Sequence, residues 1–280
     1  MKKNHIGAIQ VALGAISWSF AGVLGKWLPW NALTINGVRS LVAAIIMGVA
    51  RHSFRVRFTR GNLLGALGVM LTSILYMAAM KLTTSANAIV LQYAAPAFVI
   101  LFCWLFYGQK PSLRDVVTAA LIMLGVVLCF ADKMGGGRLM GNILAILSAV
   151  TFALVFFCAR MPDSDPAEYS YLGLLLCVPS ALFGFFDPGV SAEPTQWLAA
   201  IGLGICLAGG YYFISAAMGK VSPIFTVLLS NLEPVLNPVW VAVFLPELGE
   251  VPGGLSLVGS IIVLVTAGVY SLTGEKEVER

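Results

Sequence analysis

Residues 7–26 read GAIQVALGAISWSFAGVLGK, and residues 141–160 read GNILAILSAVTFALVFFCAR. Laid over each other without a gap, Gly7 meets Gly141, Ser17 meets Thr151, Trp18 meets Phe152 and Lys26 meets Arg160. Each stretch is a continuous apolar run of roughly 20 residues ending on a basic residue, which is what a helix needs to cross hydrocarbon. The match continues downstream. Residues 76–85 (YMAAMKLTTS) fall over residues 214–223 (ISAAMGKVSP), and the same register carries Pro96 onto Pro234 and Gln109 onto Glu247. The chain therefore reads as one unit used twice, over residues 1–134 and 135–275, followed by a short tail at 276–280.

Counting apolar runs outward from these two gives ten: 7–27, 33–50, 63–80, 85–107, 116–130, 141–159, 169–186, 197–218, 223–245 and 255–272. They are continuous rather than alternating, so they predict helices and not barrel strands. Between them sit turn formers, as in 132–137, 162–166, 187–194 and 247–254. The fold class predicted is an all-α polytopic membrane protein of ten transmembrane helices, arranged as two inverted five-helix repeats. Composition agrees: 59% of residues are apolar, 11% are charged, and the mean hydropathy is +0.91. A soluble domain carries about 25% charged residues, and no soluble fold of this length has polar surface enough to cover so much apolar side chain. The run at 7–27 has no small-residue cleavage site after a short apolar core, and reads as a permanent first helix.

Lysine and arginine set the orientation. With the N-terminus inside, the inner side collects Lys2, Lys3, Arg51, Arg55, Arg57, Arg60, Lys110, Arg114, Arg160, Lys220, Lys276 and Arg280. The outer side collects Lys26, Lys81, Lys133 and Arg138. Twelve against four places both termini in the cytoplasm of an inner or plasma membrane protein. The net charge of +4 is thus a topology signal, and no nucleic-acid partner is expected. Five helices per unit is an odd number, so the second copy is upside down relative to the first. Inverted repeats suit secondary transporters, because they make inward-open and outward-open states near mirror versions of one another.

Other chemistries lack their residues. Cys103, Cys129, Cys158, Cys177 and Cys206 all fall in apolar runs without CxxC or metal-ligand spacing, and His5 and His52 sit in polar flanks. No cofactor or metal is expected. A membrane-embedded transferase acting on a lipid or small molecule is the alternative, yet there is no HxxxxD, no carboxylate pair with histidine and no Walker-type glycine loop. A channel would want a ring of charges, and none is visible.

Residues 92–109, QYAAPAFVILFCWLFYGQ, and residues 231–247, NLEPVLNPVWVAVFLPE, are each centred on a proline and end in Gly-Gln or Pro-Glu. With Ser17-Trp18-Ser19-Phe20 in the first run and Arg39 in the second, the chain resembles the EamA family of the drug/metabolite transporter superfamily. It departs at Gly108-Gln109, where that family usually carries Gly-Glu. The resemblance implies transport of small metabolites, often amino acids or related compounds, through a central cavity between the repeats.

Ionisable groups at membrane depth are costly and point to function. Two stand out, Arg39 in the second run and Glu233 near the middle of the ninth. In that ninth run Thr226, Ser230, Glu233, Asn237 and Trp240 recur at helical spacing, and Pro234 and Pro238 each free a carbonyl one turn earlier. A polar stripe with two prolines predicts a pathway wall, against a bland reading as interhelical glue. Through the repeat, Gln92 corresponds to Ser230 and Ser73 to Tyr211, and Trp18, Tyr76, Tyr93, Tyr211 and Tyr212 offer aromatic faces for a flat or cationic ligand. The substrate-binding candidates are therefore Trp18, Ser73, Tyr76, Gln92, Tyr93, Tyr211, Ser215, Ser230 and Asn237. Glu233 and Arg39 are the candidates for proton coupling: low dielectric disfavours the charged carboxylate, and Arg39 could pair with it in one state.

Overall fold

The computed structural model describes residues 2–83, 85–131, 139–244 and 254–274. Among these every regular element is helical. In chain order they are α1 (Lys2–Ser19), α2 (Ala21–Lys26), α3 (Ala32–Ala50), α4 (Arg60–Leu82), α5 (Ser85–Gln92), α6 (Ala95–Tyr107) and α7 (Leu113–Phe130). There follow α8 (Leu139–Cys158), α9 (Pro166–Cys177), a 3₁₀ segment (Val178–Phe186), α10 (Pro194–Met218), α11 (Pro223–Ser230), α12 (Glu233–Phe244) and α13 (Gly254–Gly274). Seven helical stretches of the described chain are long and apolar enough to cross a membrane: His5–Gly25, Ala32–Ala50, Arg60–Met80, Asn87–Tyr107, Leu139–Cys158, Pro166–Phe186 and Pro194–Met218. The expected boundaries near 134/135 and 275/276 lie outside the described residues.

Short polar residues start the helices where the runs begin. Asn31, Thr59, Ser112, Asp165 and Ser222 each accept a hydrogen bond from a backbone N–H of the first turn, which would otherwise have no partner. Ser112 and Asp115 do so reciprocally as a capping box. Prolines follow the caps at Pro166 and Pro223, where a missing N–H costs nothing.

Four of the apolar runs are not single helices. The fourth breaks at Tyr93–Ala94 just before Pro96, and the ninth breaks at Asn231–Leu232 just before Pro234. The seventh tightens into the 3₁₀ segment at Val178, beside Pro179. In each case the proline has no N–H to continue the preceding turn. The first run also pauses, at Phe20, where the Ser19 hydroxyl donates to Ile16 O (2.7 Å) and accepts from Trp240 Nε1 (2.8 Å).

α4 packs along α8 and α9, α1 and α3 along α10, and α7 along α13. Contact is close at Gly37, where a Cβ would collide with the backbone of Ala181. Outward-facing positions carry Leu41, Ile45 and Val49 on α3, Leu63, Leu64 and Leu67 on α4, and Leu198, Ile201 and Ile205 on α10, all exposed. An apolar exterior around a partly polar middle is the arrangement that lipid favours.

At one end the α3–α4 and α8–α9 connections are pinned together. Glu168 pairs with Arg51 (3.4 Å) and Arg57 (3.1 Å) and accepts from Asn62 Nδ2 (2.7 Å), while Asp165 N donates to Asn62 Oδ1 (2.7 Å). At the other end Asn31 N donates to Asp187 Oδ2 (2.6 Å) and Trp30 Nε1 to Gln196 Oε1 (2.8 Å).

A charged aromatic chamber as the candidate functional site

α1, α3, α4, α8 and α10 converge with the two breaks around a cavity of about 100 Å³. Its wall includes Trp18, Arg39, Thr72, Ser73, Tyr76, Gln92, Tyr93, Phe152, Tyr211 and Glu233, with Ala21, Leu203 and Leu207 completing it. That is below the roughly 300–1,000 Å³ of pockets for drug-sized ligands, and suits a small metabolite or part of one.

One side is an aromatic corner. The Trp18 indole meets Tyr211 edge-on with centroids 5.3 Å apart, and tilts against Phe152 at 6.0 Å. It fits only because residue 210 is glycine: a Cβ there would lie 1.9 Å from Trp18 Nε1. The indole is 7% exposed, and its Nε1–H has no hydrogen-bond partner among the described residues.

The other side is polar. Asn36, one turn before Arg39, orients it. The Arg39 Nη2 donates to Asn36 Oδ1 (3.2 Å) and to Ser73 Oγ (3.2 Å), and Ser73 Oγ in turn donates to Asn36 Oδ1 (2.5 Å). Arg39 Nε is buried without a partner. Glu233 sits in the first turn of α12, where the helix dipole favours negative charge. Its carboxyl interacts with Tyr93 and lies within electrostatic range of Arg39, Tyr76 and Tyr211. Among the described residues Arg39 and Glu233 form no ion pair with each other or with any other side chain. A cation, a carboxyl and several ring faces around one cavity can hold a small ligand bearing both charges and an apolar part.

The sequence candidates divide as follows. Trp18, Ser73, Tyr76, Gln92, Tyr93, Tyr211, Glu233 and Arg39 are brought together in the chamber wall. Ser230 is not among them: it is buried, and its hydroxyl donates to Val227 O of its own helix. Ser215 is spent between helices, 3.3 Å from the Ser170 hydroxyl and donating to Pro166 O. The side chain of Asn237 lies outside the described residues. Sequence reasoning did not place Thr72, Phe152, Leu203 or Leu207 in the wall, nor Asn36 behind it. Asn36 had a usable signal, since it falls three residues before Arg39 on the same helix face.

A lipid-facing helical bundle enclosing such a chamber defines a polytopic membrane protein of the transporter class. Residues 5–131 and 139–272 each match the EamA-like transporter family, and the chain belongs to it, within the drug/metabolite transporter superfamily. The chain is 27% identical over 248 residues to an uncharacterized transporter of Archaeoglobus fulgidus, covering 83% of this chain and 87% of that one. It is 23% identical to the pseudopaline exporter CntI of Pseudomonas aeruginosa, across 95% and 96% of the two chains. It is 25% identical to the aromatic amino acid exporter YddG of Ancylobacter novellus, across 75% and 76%. A solved crystal structure at 20% identity superposes with a TM-score of 0.79 over 96% of this chain and 98% of that one, a likeness of fold.

Proposed function

We propose that the protein is a secondary transporter that exports a small zwitterionic metabolite, an amino acid or related compound, across the inner membrane by alternating access. The observation that carries this is Arg39 and Glu233 lining one chamber with no ion pair among the described residues. Opposite charges that share a cavity without pairing suit a ligand that carries both. In this reading the substrate carboxylate meets Arg39, its ammonium meets Glu233 and the tyrosine faces, and its apolar part lies in the Trp18–Tyr211–Phe152 corner. Exporter-named relatives support the direction. Glu233 is the proton carrier: protonated on the outer side, it releases the proton inside, and the bare carboxylate then accepts the substrate ammonium.

The architecture proposed is ten spans in two inverted units with both termini cytoplasmic. Exchange of the two units supports it. The packing of α4 on α8 answers that of α10 on α1, α3 on α10 answers α9 on α4, and α7 with α13 answers itself. Both halves match the same family, and the two helix breaks fall at equivalent prolines.

The deciding experiment is counterflow in proteoliposomes with a panel of amino acids, amines and nucleosides. Exchange of at least one amino acid, absent with amines and nucleosides, is the expected result. Exchange of uncharged nucleosides alone would overturn the zwitterion reading.

A further inference from the structure

At the end of the bundle that carries the α3–α4 latch, a second cavity of about 590 Å³ opens between the two halves. Its wall is built from the start of α1, the α6–α7 connection, the end of α8, the α10–α11 turn and the end of α13. Four permanent cations line it: Lys110, Arg114, Arg160 and Lys220. Among the described residues the one lining carboxylate, Asp115, is already engaged. It accepts from the Tyr270 hydroxyl (2.6 Å) and from Ser112 N (3.2 Å) within the α7 capping box.

Two of these cations are held out by neutral groups. Arg160 donates to Gln109 Oε1 and lies over the Tyr107 ring at 5.1 Å. Lys220 Nζ donates to Gln10 Oε1 (2.6 Å) and Ala216 O (2.9 Å). Neither forms an ion pair among the described residues. α7 and α11 begin on the same wall, at Ser112 and Ser222, and their N-terminal dipoles add to the positive potential. Leu272, 74% exposed, forms an apolar outer rim.

We propose that this cavity binds a phosphate-bearing anion, held chiefly by Arg160 and Lys220. Several cations around one space favour a compact group with several charged oxygens over a single carboxylate. Two sources share that chemistry: the headgroup of an anionic lipid whose chains lie past Leu272, or a soluble phosphate. Because the site joins the α6–α7 and α10–α11 connections, its occupant ties the two halves together at this end. The site is separate from the central chamber and independent of what that chamber carries.

The test uses the full chain in detergent with dioctanoyl phosphatidylglycerol, dioctanoyl phosphatidylcholine and inorganic phosphate as probes, reading thermal stabilisation and native mass spectra. Saturable binding of phosphatidylglycerol or phosphate, with no equal effect of phosphatidylcholine, is expected. Arg160→Gln and Lys220→Gln should each weaken it about five-fold, since a basic residue near an anionic surface contributes ~1 kcal/mol. Arg55→Gln, an exposed charge at the same end but outside the cavity, should leave it unchanged. Phosphatidylglycerol binding that millimolar phosphate does not displace assigns the site to lipid, and displacement assigns it to a soluble anion. Should a Gln variant fail to fold, Arg160→Lys with Lys220→Arg must retain binding, and wild-type binding must fall between 0.1 and 0.5 M salt, as screening requires (about 10 Å Debye length at 0.1 M). Equal binding of the zwitterionic and anionic lipids with no response to phosphate, or unchanged binding in the Gln variants, overturns the proposal.

Discussion

Gly210→Ala is the smallest change that should disable the central chamber. The added methyl would sit 1.9 Å from Trp18 Nε1 and 2.2 Å from Cδ1, about 1.5 Å inside ordinary van der Waals contact. The indole cannot slide away, because Phe152 and Tyr211 close on it at 6.0 and 5.3 Å. Either α1 separates from α10 or Trp18 leaves its rotamer. Overpacking of this kind costs about 1–3 kcal/mol, against roughly 1 kcal/mol gained from replacing a helical glycine by alanine. The collision outweighs the gain over most of that range, and a net loss of up to about 2 kcal/mol is expected, read as a lower denaturation midpoint in detergent together with loss of counterflow. Trp18→Ala removes the atoms that collide, so in that background Gly210→Ala should become neutral or stabilising, a coupling of about 1–3 kcal/mol. A Gly210→Ala protein at least as stable and active as wild type would refute the close approach of α1 and α10 at this point.

Arg39→Lys should lower exchange by at least about ten-fold in a counterflow assay, because a compact ammonium lacks the planar, spread donor array with which the guanidinium can hold Asn36 and Ser73 and face a carboxylate at once. Glu233→Gln should fold and still exchange substrate, at lower apparent affinity because an amide replaces the carboxylate that meets the ammonium, yet lose accumulation driven by a pH difference; uphill accumulation by this variant would remove Glu233 from the proton path. Cysteines at Ala192 and Arg55 test orientation: an impermeant thiol reagent added outside intact cells should label the first and spare the second, and the reverse pattern would invert the topology.

The helices were legible because hydrocarbon leaves a helix little choice, but the apolar runs begin at 33, 63, 116 and 169 where the helices begin at Ala32, Arg60, Leu113 and Pro166, since the polar caps and first turns lie outside the apolar pattern. Most of the chamber was legible too, since Arg39, Glu233 and the aromatics paired through the repeat are conspicuous in an apolar background. What failed was the polar stripe of the ninth run. The spacing of Thr226, Ser230, Glu233 and Trp240 assumes one uninterrupted helix, whereas the break at Asn231–Leu232 resets the angle between its halves. Thr226 and Ser230 therefore bond back to carbonyls at or within the start of α11, Glu233 opens into the chamber, and Trp240 stacks on Phe20 at 4.6 Å. Proline announces such a break without giving its angle. Thr72 and Leu207 were invisible for a different reason: which face of a long apolar helix turns inward is set by its neighbours, and their own spacing does not record it.

A chamber with one fixed cation and one titratable carboxyl also has an electrical consequence. Carrying a zwitterion outward, Arg39 and an ionised Glu233 cancel, and the loaded carrier crosses the membrane voltage as a neutral body. Returning with Glu233 protonated, it carries one positive charge inward. Each cycle of the proposed exchange then moves a single elementary charge, so every 100 mV of potential adds ~2.3 kcal/mol to the export drive. That is about a fifty-fold concentration ratio, available even when the pH is equal on both sides.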